Sequence, residues 1–275
     1  MSWISRLFKG EEKPKYIDFP THWRSVLLDK IQYYRSLDGE QRARFEKAVL
    51  RFLNTTKITG IKTNVDENDI ILIGASAIIP IFAFPNWEYH NLDEVLLYPE
   101  HIKYSPGDGI KDVNALGMVG YGYMEGKMML SKKALHLGFE NTKDKQNTAV
   151  HEFVHLIDKM DGKVDGIMVY LKEEKYVVPW LNLIDQKIEE IINEENDIRP
   201  YGATNRSEFL AVASEYFFER PHLFKENYPE LYHYMELMFN QKLTNRKLVD
   251  RAKPTRHWDP CPCGSGKKFR DCCGK

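Results

Sequence analysis

Two histidines, His151 and His155, are four residues apart and enclose Glu152 in a His-Glu-x-x-His pattern. On an α-helix this spacing corresponds to about 6 Å along the axis and returns both imidazoles to one face, where they can bind one cation. Glu152 then lies beside the cation without binding it, which is the position of a general base. The pattern therefore predicts a hydrolase site in which a zinc ion activates a water molecule.

The residues around this pattern favour a helix. Val150, Val154 and Ile157 recur at intervals of three and four residues within residues 148–158, which is the spacing of an apolar helix face. The motif also arises by chance, on helices whose histidines only fill the core or the surface. An apolar helix must nevertheless give its imidazoles and carboxylate partners, because burying unpaired polar atoms is costly. A metal ion meets that need.

A catalytic zinc ion usually takes three protein ligands and one water molecule, so the two histidines need a third partner. Glu208 and Glu215 lie on one predicted helix, seven residues and about 10 Å apart on the same face. Glu208 could instead cap the helix opposite Asn205, and Glu215 could accept a hydrogen bond from a ligand imidazole. Spacing alone leaves this choice open. Asp158 has two readings as well, as a hydrogen-bond partner for a ligand imidazole or as the start of the turn that ends the helix.

Residues 201–209, read together with the His-Glu-x-x-His segment, resemble the Mlc titration factor A family of zinc peptidases. The pairing of a tyrosine with a glutamate is also similar to the metalloprotease domain of anthrax lethal factor. The resemblance implies a zincin-like α+β fold in which Glu208 is the third zinc ligand and Tyr201 lies over the substrate. It includes Trp23 and the segments 52–60, 75–80 and 97–99, and so spans residues 19–223.

These roles predict peptide-bond hydrolysis. A zinc ion held by His151, His155 and Glu208 would lower the pKa of its bound water to about 7. Glu152 would accept the proton as the water attacks a polarised carbonyl, and would pass it to the leaving amine. Tyr201 would stabilise the oxyanion through its hydroxyl group. The resemblance adds an aminopeptidase-like action on small peptides.

A function without catalysis is the alternative. The resemblance also implies binding of a transcriptional repressor of sugar uptake, so the protein could sequester a regulator stoichiometrically. A pure binding protein has no need for a general base between two zinc ligands. The presence of Glu152 therefore favours retained chemistry.

The four cysteines of the chain all fall within its last fifteen residues. They follow a Cys-x-Cys-x8-Cys-Cys pattern, and Gly264 and Gly266 allow the chain to double back between the pairs. Four thiolates suit a closed structural zinc site, whereas two disulfides or free thiols are the alternatives. Residues 260–275 resemble the SEC-C motif, a zinc-binding module of the translocation ATPase SecA, which implies docking to a protein, the ribosome or the translocon. The expected zinc ligands are Cys261, Cys263, Cys272 and Cys273.

The composition gives no general attraction to nucleic acid or membranes. The 275 residues are 43% hydrophobic and 29% charged, with a formal net charge of −1, which is ordinary for a globular protein. The longest apolar stretch, residues 70–85, is interrupted and too short to cross a bilayer, and residues 1–16 contain no secretory signal. Because all thiols are confined to the tail, we expect a reducing, cytoplasmic location.

Only residues 251–275 are markedly basic, with seven cationic and two anionic side chains. Such a stretch is either a solvated face or a contact for ribosomal RNA or an acidic protein surface. The whole chain is expected to comprise an N-terminal tail at 1–18, the metallopeptidase domain at 19–242, a linker at 243–259 and the zinc knuckle at 260–275.

Within the domain, residues 21–55 have apolar side chains at helical intervals and are expected to form two helices, which make a helical lobe over the active site. Residues 70–84 are apolar and predict a buried helix that ends near Pro80. Strand character appears in three segments, 94–98, 101–104 and 120–130, the last with a turn at 124–127. These strands predict a small mixed sheet.

In metallopeptidases of this kind, the strand upstream of the zinc helix lies at the edge of the sheet. An extended peptide can pair with the free N–H and C=O groups of such a strand. We expect residues 128–131 to form it, and a plain hairpin strand is the alternative reading.

Overall fold

The structure of the protein, a computed structural model, describes residues 16–104, 113–120, 122–168, 171, 174–247, 257–261 and 265–272. Its α-helices are α1 (Thr21–Lys30), α2 (Gln32–Arg35), α3 (Gly39–Thr55), α4 (Glu67–Ile81), α5 (Lys132–Glu140), α6 (Thr148–Asp158), α7 (Glu174–Ile192), α8 (Arg206–Glu219), α9 (Pro221–Asn227) and α10 (Pro229–Phe239). Its strands are β1 (Lys57–Gly60), β2 (Leu92–Tyr98), β3 (Ile102–Tyr104), β4 (Val113–Ala115), β5 (Gly117–Val119) and β6 (Gly126–Ser131). Among these described residues, no helix combines the length and apolar character that crossing a membrane requires.

Four strands form one mixed sheet in the order β1-β2-β6-β5. β2 pairs in parallel with β1 and with β6, while β5 pairs antiparallel with β6. β3 and β4 form a separate antiparallel pair. The predicted α+β class with a small mixed sheet is confirmed, and the helices make up most of the domain.

The edge strand nearest to α6 is β5, so the expectation that residues 128–131 form the edge is wrong. These residues belong to β6, which lies between β2 and β5 inside the sheet. Met128, Met129 and Leu130 are at most 2% exposed, and a strand that is apolar on both faces is stable only in the interior of a sheet. The run of consecutive hydrophobic residues therefore indicates a strand in the interior of the sheet and not an edge strand.

The chain reversal before β6 also lies earlier than predicted. Residues 122–124 form a 3₁₀ turn, and Gly122 and Gly126 have φ angles of +60° and +77°. Glycine adopts this left-handed region without steric cost, so the two glycines set the position of the reversal. The strand that pairs with β6 is β5, and the strand predicted over residues 122 and 123 is wrong, because both residues lie in the 3₁₀ turn.

α4 is a buried helix of the domain core. A capping box between Asp66 and Asp69 closes its first turn and satisfies backbone N–H groups that would otherwise lack partners. Pro80 lies in the last turn and the helix ends at Ile81, which confirms the predicted end. Because α4 packs against both α3 and α6, it helps to fix α6 within the core.

Residues 21–55 are helical as predicted, but they form three helices, α1, α2 and α3, instead of two, and α3 contacts α6. Phe52 of α3 contacts Phe153 of α6 edge to face, with ring centroids 5.6 Å apart. Positions two residues apart on a helix point about 200° away from each other, so Phe153 faces away from His151 and His155. The expected placement over the active site is wrong for α3, because Phe52 packs on the opposite face of α6.

The folded domain continues past the expected boundary at residue 242. Leu243 is 3% exposed, and the guanidinium of Arg246 lies 4.6 Å from the ring centroid of Tyr33. A cation over an aromatic face is attracted to the ring, so residues 243–246 pack on the domain instead of starting the linker.

Candidate metal centre

The His-Glu-x-x-His residues lie on α6, as predicted. Asn147 caps the start of this helix, and its side chain accepts a hydrogen bond from the Val150 N–H at 3.1 Å. His151 and Glu152 are only 6% and 5% exposed. A capped helix that is packed in the core holds both side chains in fixed positions.

Three donor atoms from α6 and α8 converge on one point. Nε2 of His151 lies 3.1 Å from Nε2 of His155, and Oε2 of Glu208 lies 3.0 Å from the first and 3.2 Å from the second. Zinc bonds of about 2.0 to 2.1 Å at tetrahedral angles place such donors about 3.3 Å apart. The triangle therefore has the size that a zinc ion requires, and these three residues could hold a metal ion.

The other imidazole nitrogens already have partners. Nδ1 of His151 lies 2.7 Å from Oε1 of Glu215, and Nδ1 of His155 lies 3.0 Å from Oγ of Ser207. When each Nδ1–H donates to its oxygen, each Nε2 carries a lone pair. Two lone pairs and a carboxylate oxygen then face one another, which is unfavourable without a cation between them. This donor set fits zinc.

Glu208 and Glu215, the two candidate ligands on α8, have different positions. Glu208 is the residue whose carboxylate reaches both Nε2 atoms. Asn205 caps α8 by accepting a hydrogen bond from the Glu208 backbone N–H at 2.9 Å, so the Glu208 side chain serves the converging donors and not the helix cap. Glu215 is 1% exposed and accepts hydrogen bonds from the Asn147 N–H at 2.5 Å and from Arg199. It orients the imidazole of His151 instead of joining the three converging donors.

Asp158 reaches His155 only through another residue. Its carboxylate accepts hydrogen bonds from the Ser207 hydroxyl at 2.7 Å and from the Gly166 N–H at 3.1 Å. Asp158 also ends α6 and is followed by a 3₁₀ turn that closes at Gly162 with φ of 86°, so the turn reading is correct. Ser207 had no sequence signal beyond its place directly before Glu208.

Glu152 lies against the edge strand. A Cβ atom on Gly117 of β5 would be 2.5 Å from Oε1 of Glu152. Burial raises the pKa of Glu152 above its ordinary value, and the nearby imidazoles of His151 and His155 only partly oppose this effect. A raised pKa suits a carboxylate that must accept and release a proton near neutral pH. The sequence carries no signal for the role of Gly117.

Tyr201 lies in a 3₁₀ turn, Pro200–Ala203, just before α8. Its ring centroid is 6.0 Å from that of His151, and the residue is 53% exposed. Partial burial, with the negative charges of Glu208 and Glu152, raises the pKa of Tyr201 to about 12. The hydroxyl therefore stays protonated and can donate a hydrogen bond to a molecule in the site.

Without a metal ion, His151 carries an additional proton at neutral pH. Burial would lower the pKa of His151, but hydrogen bonds to Glu208 and Glu215 outweigh it and raise the pKa to about 10. Burial would likewise raise the pKa of Glu208, but the hydrogen bonds from both histidines hold it well below its ordinary value. A cation that binds here must displace this proton.

Two of the four tail cysteines, Cys261 and Cys272, are within the described residues, while Cys263 and Cys273 lie outside them. Pro260 and Lys268 form an antiparallel bridge, and the Cys261 N–H donates to the carbonyl of Lys267 at 2.7 Å. The chain thus doubles back between the cysteine pairs, as the glycine pattern predicts.

Three converging donor atoms from α6 and α8, with Glu152 beside them in an α+β domain, are the arrangement of a metallopeptidase-type site. Residues 6–240 match the family described as glucose-regulated metallo-peptidase M90, and the chain belongs to this family. Residues 259–275 match the SEC-C motif. The match to the SEC-C motif confirms the resemblance drawn from the cysteine pattern.

Related proteins cover most of the chain. A protein of Synechocystis sp. named Uncharacterized protein slr2042 is 27% identical over 224 residues, which are 78% of this chain and 81% of the relative. Mlc titration factor A of Escherichia fergusonii is 25% identical over 239 residues, 82% of this chain and 87% of the relative. Mlc titration factor A of Salmonella schwarzengrund is 24% identical over 260 residues, with coverages of 90% and 95%. These relatives confirm the resemblance to the Mlc titration factor A family.

Proposed function

We propose that the protein is a zinc-dependent peptidase with a zincin-like domain, in which His151, His155 and Glu208 bind the catalytic zinc ion. The observation that carries the proposal is the convergence of three electron-rich atoms at 3.0 to 3.2 Å. When bound, zinc supplies a Lewis acid that polarises a carbonyl and lowers the pKa of a water molecule to about 7.

The protein side chains move the protons of the reaction. Glu152 accepts the proton of the attacking water, and its raised pKa makes it a stronger base for this step. Glu152 then passes the proton to the leaving amine. Tyr201 remains protonated and donates a hydrogen bond to the oxyanion that forms on the substrate carbonyl.

The outer side of β5 is the proposed substrate contact. The Gly120 N–H donates to the Lys127 carbonyl and the Ser131 N–H to the Leu116 carbonyl. Because hydrogen-bonded and outward-facing residues alternate in an antiparallel ladder, Gly117 and Val119 of β5 turn their backbone groups away from β6. An extended peptide can pair with them. β5 has three residues, and this short edge supports aminopeptidase-like action on small peptides.

A second zinc ion is proposed for the tail, bound by Cys261, Cys263, Cys272 and Cys273, with a structural role. Four thiolate ligands are typical of such sites and require the reducing conditions of a cytoplasmic location. In this organisation, the peptidase domain spans residues 19–246, a linker follows at 247–259, and the knuckle at 260–275 contacts a protein, the ribosome or the translocon.

Metal content and one substitution test the peptidase function. Elemental analysis of the full chain is expected to find two zinc ions, falling to one in the His151→Ala/His155→Ala variant. Glu152→Gln keeps the size of the side chain but removes the base, so the kcat for hydrolysis of short peptides should fall about 100- to 10,000-fold. Its zinc content should remain that of the wild type. A Glu152→Gln protein with wild-type kcat would refute this assignment.

The second candidate function is sequestration of a transcriptional regulator. The name Mlc titration factor A, carried by relatives of 24–25% identity, supports it. Binding of the regulator by Glu152→Gln protein at wild-type affinity, together with an unchanged biological effect, would favour this function over catalysis. Removal of residues 260–275 separately tests whether any partner is held through the tail.

A further inference from the structure

We propose that Ser207 is a positioning residue that orients His155 for metal binding and links it to the buried carboxylate of Asp158. The inference rests on the proposed zinc site. In this role, the Ser207 side chain touches neither metal nor substrate. Its hydroxyl lies between the imidazole of His155 and the carboxylate of Asp158.

The chemistry of the hydroxyl group sets the direction of both hydrogen bonds. Ser207 Oγ lies 2.7 Å from Oδ2 of Asp158 and 3.0 Å from Nδ1 of His155. A hydroxyl has one hydrogen to donate, and an ionised carboxylate can only accept. Ser207 therefore donates to Asp158 and accepts from the Nδ1–H of His155. This arrangement leaves the lone pair on Nε2, where the metal ligand atom must be.

The carboxylate at the end of this chain is itself held in place. Asp158 is fully buried and also accepts a hydrogen bond from the Gly166 N–H at 3.1 Å. Ser207 is 5% exposed, so water does not compete freely for its hydroxyl. A buried and fully partnered chain of this kind keeps one geometry.

The two ligand histidines are thus oriented in different ways. His151 donates directly to Glu215, whereas His155 uses the hydroxyl of Ser207 as an intermediate. Ser207 directly precedes Glu208, and Asn205 caps the same turn of α8. One helical turn therefore supplies both a metal ligand and the group that orients another ligand, so the start of α8 controls two of the three metal bonds.

A matched pair of serines on one helix separates this role from ordinary packing. Ser214 is also a buried serine of α8, and its hydroxyl donates to the Leu210 carbonyl at 2.7 Å. We would compare full-length wild type, Ser207→Ala, Ser207→Thr and Ser214→Ala for zinc affinity by chelator competition. Visible spectra of the cobalt-substituted proteins would report the ligand geometry. The cysteine tail is the same in all four proteins and contributes equally.

Ser207→Ala should weaken zinc binding at the histidine site about 10- to 100-fold and change the cobalt spectrum. Ser207→Thr, which keeps the hydroxyl, should restore both properties, and Ser214→Ala should match the wild type. Equal zinc affinity and spectra in Ser207→Ala and Ser214→Ala would overturn the inference while leaving the peptidase proposal intact. If wild-type metal content does not depend on His151 and His155, the zinc site and this inference both fail.

Discussion

The carboxylate of Glu152 lies directly against Gly117, at a point where a Cβ atom would be only 2.5 Å from Oε1. The proposed general base and the edge strand therefore occupy adjacent positions, and only a residue without a side chain leaves room for the carboxylate. A peptide paired with β5 would have its backbone beside the group that activates water. This relationship connects substrate alignment with proton transfer.

Gly117→Ala should lower the kcat for peptide hydrolysis without removing the metal ion. Gly117 is not among the glycines with positive φ, so alanine fits the backbone and the effect comes from displacement of Glu152. Misplacement of a catalytic group by about 1 Å costs about 100-fold in rate. Steady-state kinetics with elemental zinc analysis would measure both quantities.

Gly39→Ala is the control for this substitution, because nothing lies within 4 Å of a Cβ atom at residue 39. Its kcat should equal that of the wild type. An unaltered kcat in Gly117→Ala as well would mean that Glu152 tolerates displacement or is not the base.

Tyr201→Phe should lower kcat by about 100-fold or more, because the oxyanion loses a hydrogen-bond donor. The phenylalanine ring keeps the contact with His151, whose centroid is 6.0 Å away, so zinc affinity should not change. Tyr201→Ala tests the ring separately. If phenylalanine retains wild-type kcat and only alanine reduces it, the ring and not the hydroxyl is the functional group.

Zinc affinity at the histidine site should increase with pH. The pKa of His151 in the metal-free protein is raised from 6.5 to about 10, so the folded protein carries a proton there throughout the neutral range. Displacement of one proton strengthens apparent binding about tenfold per pH unit. Chelator competition between pH 6 and 8 would measure this slope, and a flat profile would show that no proton is displaced.

The same group affects the stability of the metal-free protein. A histidine whose folded pKa lies above its unfolded value stabilises the fold fully below pH 6.5, and this contribution is lost as the pH rises toward 10. Urea unfolding of metal-free protein should therefore show a decline in stability over this range. His151→Ala, tested in parallel, should lack this part of the decline.

The carboxyl group of Glu219 should give the stability of the fold a second dependence on pH, which does not involve the metal ligands. Burial, with the charges of Asp144 and Glu215, raises the pKa of Glu219 from 4.5 to about 9. The folded state retains a proton that the unfolded chain releases, so stability should fall as pH rises from 4.5 to 9, by at most about 1.4 kcal/mol per pH unit.

Glu219→Gln cannot ionise and should reduce this decline in urea unfolding experiments at pH 6 and 8.5. The exposed Glu226 provides a matched Glu→Gln control, which should retain the wild-type slope. Identical slopes in all three proteins would contradict the raised pKa.

Local geometry explains which site residues the sequence could identify. His151 and His155 share a helix face because four residues nearly complete one helical turn, and no distant contact is needed for that. The choice between Glu208 and Glu215 required the packing of α8 against α6, which rests on contacts between residues more than fifty positions apart. Spacing along one helix contains no information about where another helix crosses it.

The sequence by itself determined the chemistry of this protein: two imidazoles and a carboxylate on one helix, and four thiols in a short tail. Only the tertiary structure decided that Ser207 lies beside His155, that Gly117 lies against Glu152 and that β5 is at the edge of the sheet. The physical reason is that strand order and helix crossing depend on which apolar surfaces bury one another. Those contacts form between segments far apart in the chain, whereas helical periodicity acts within a single turn.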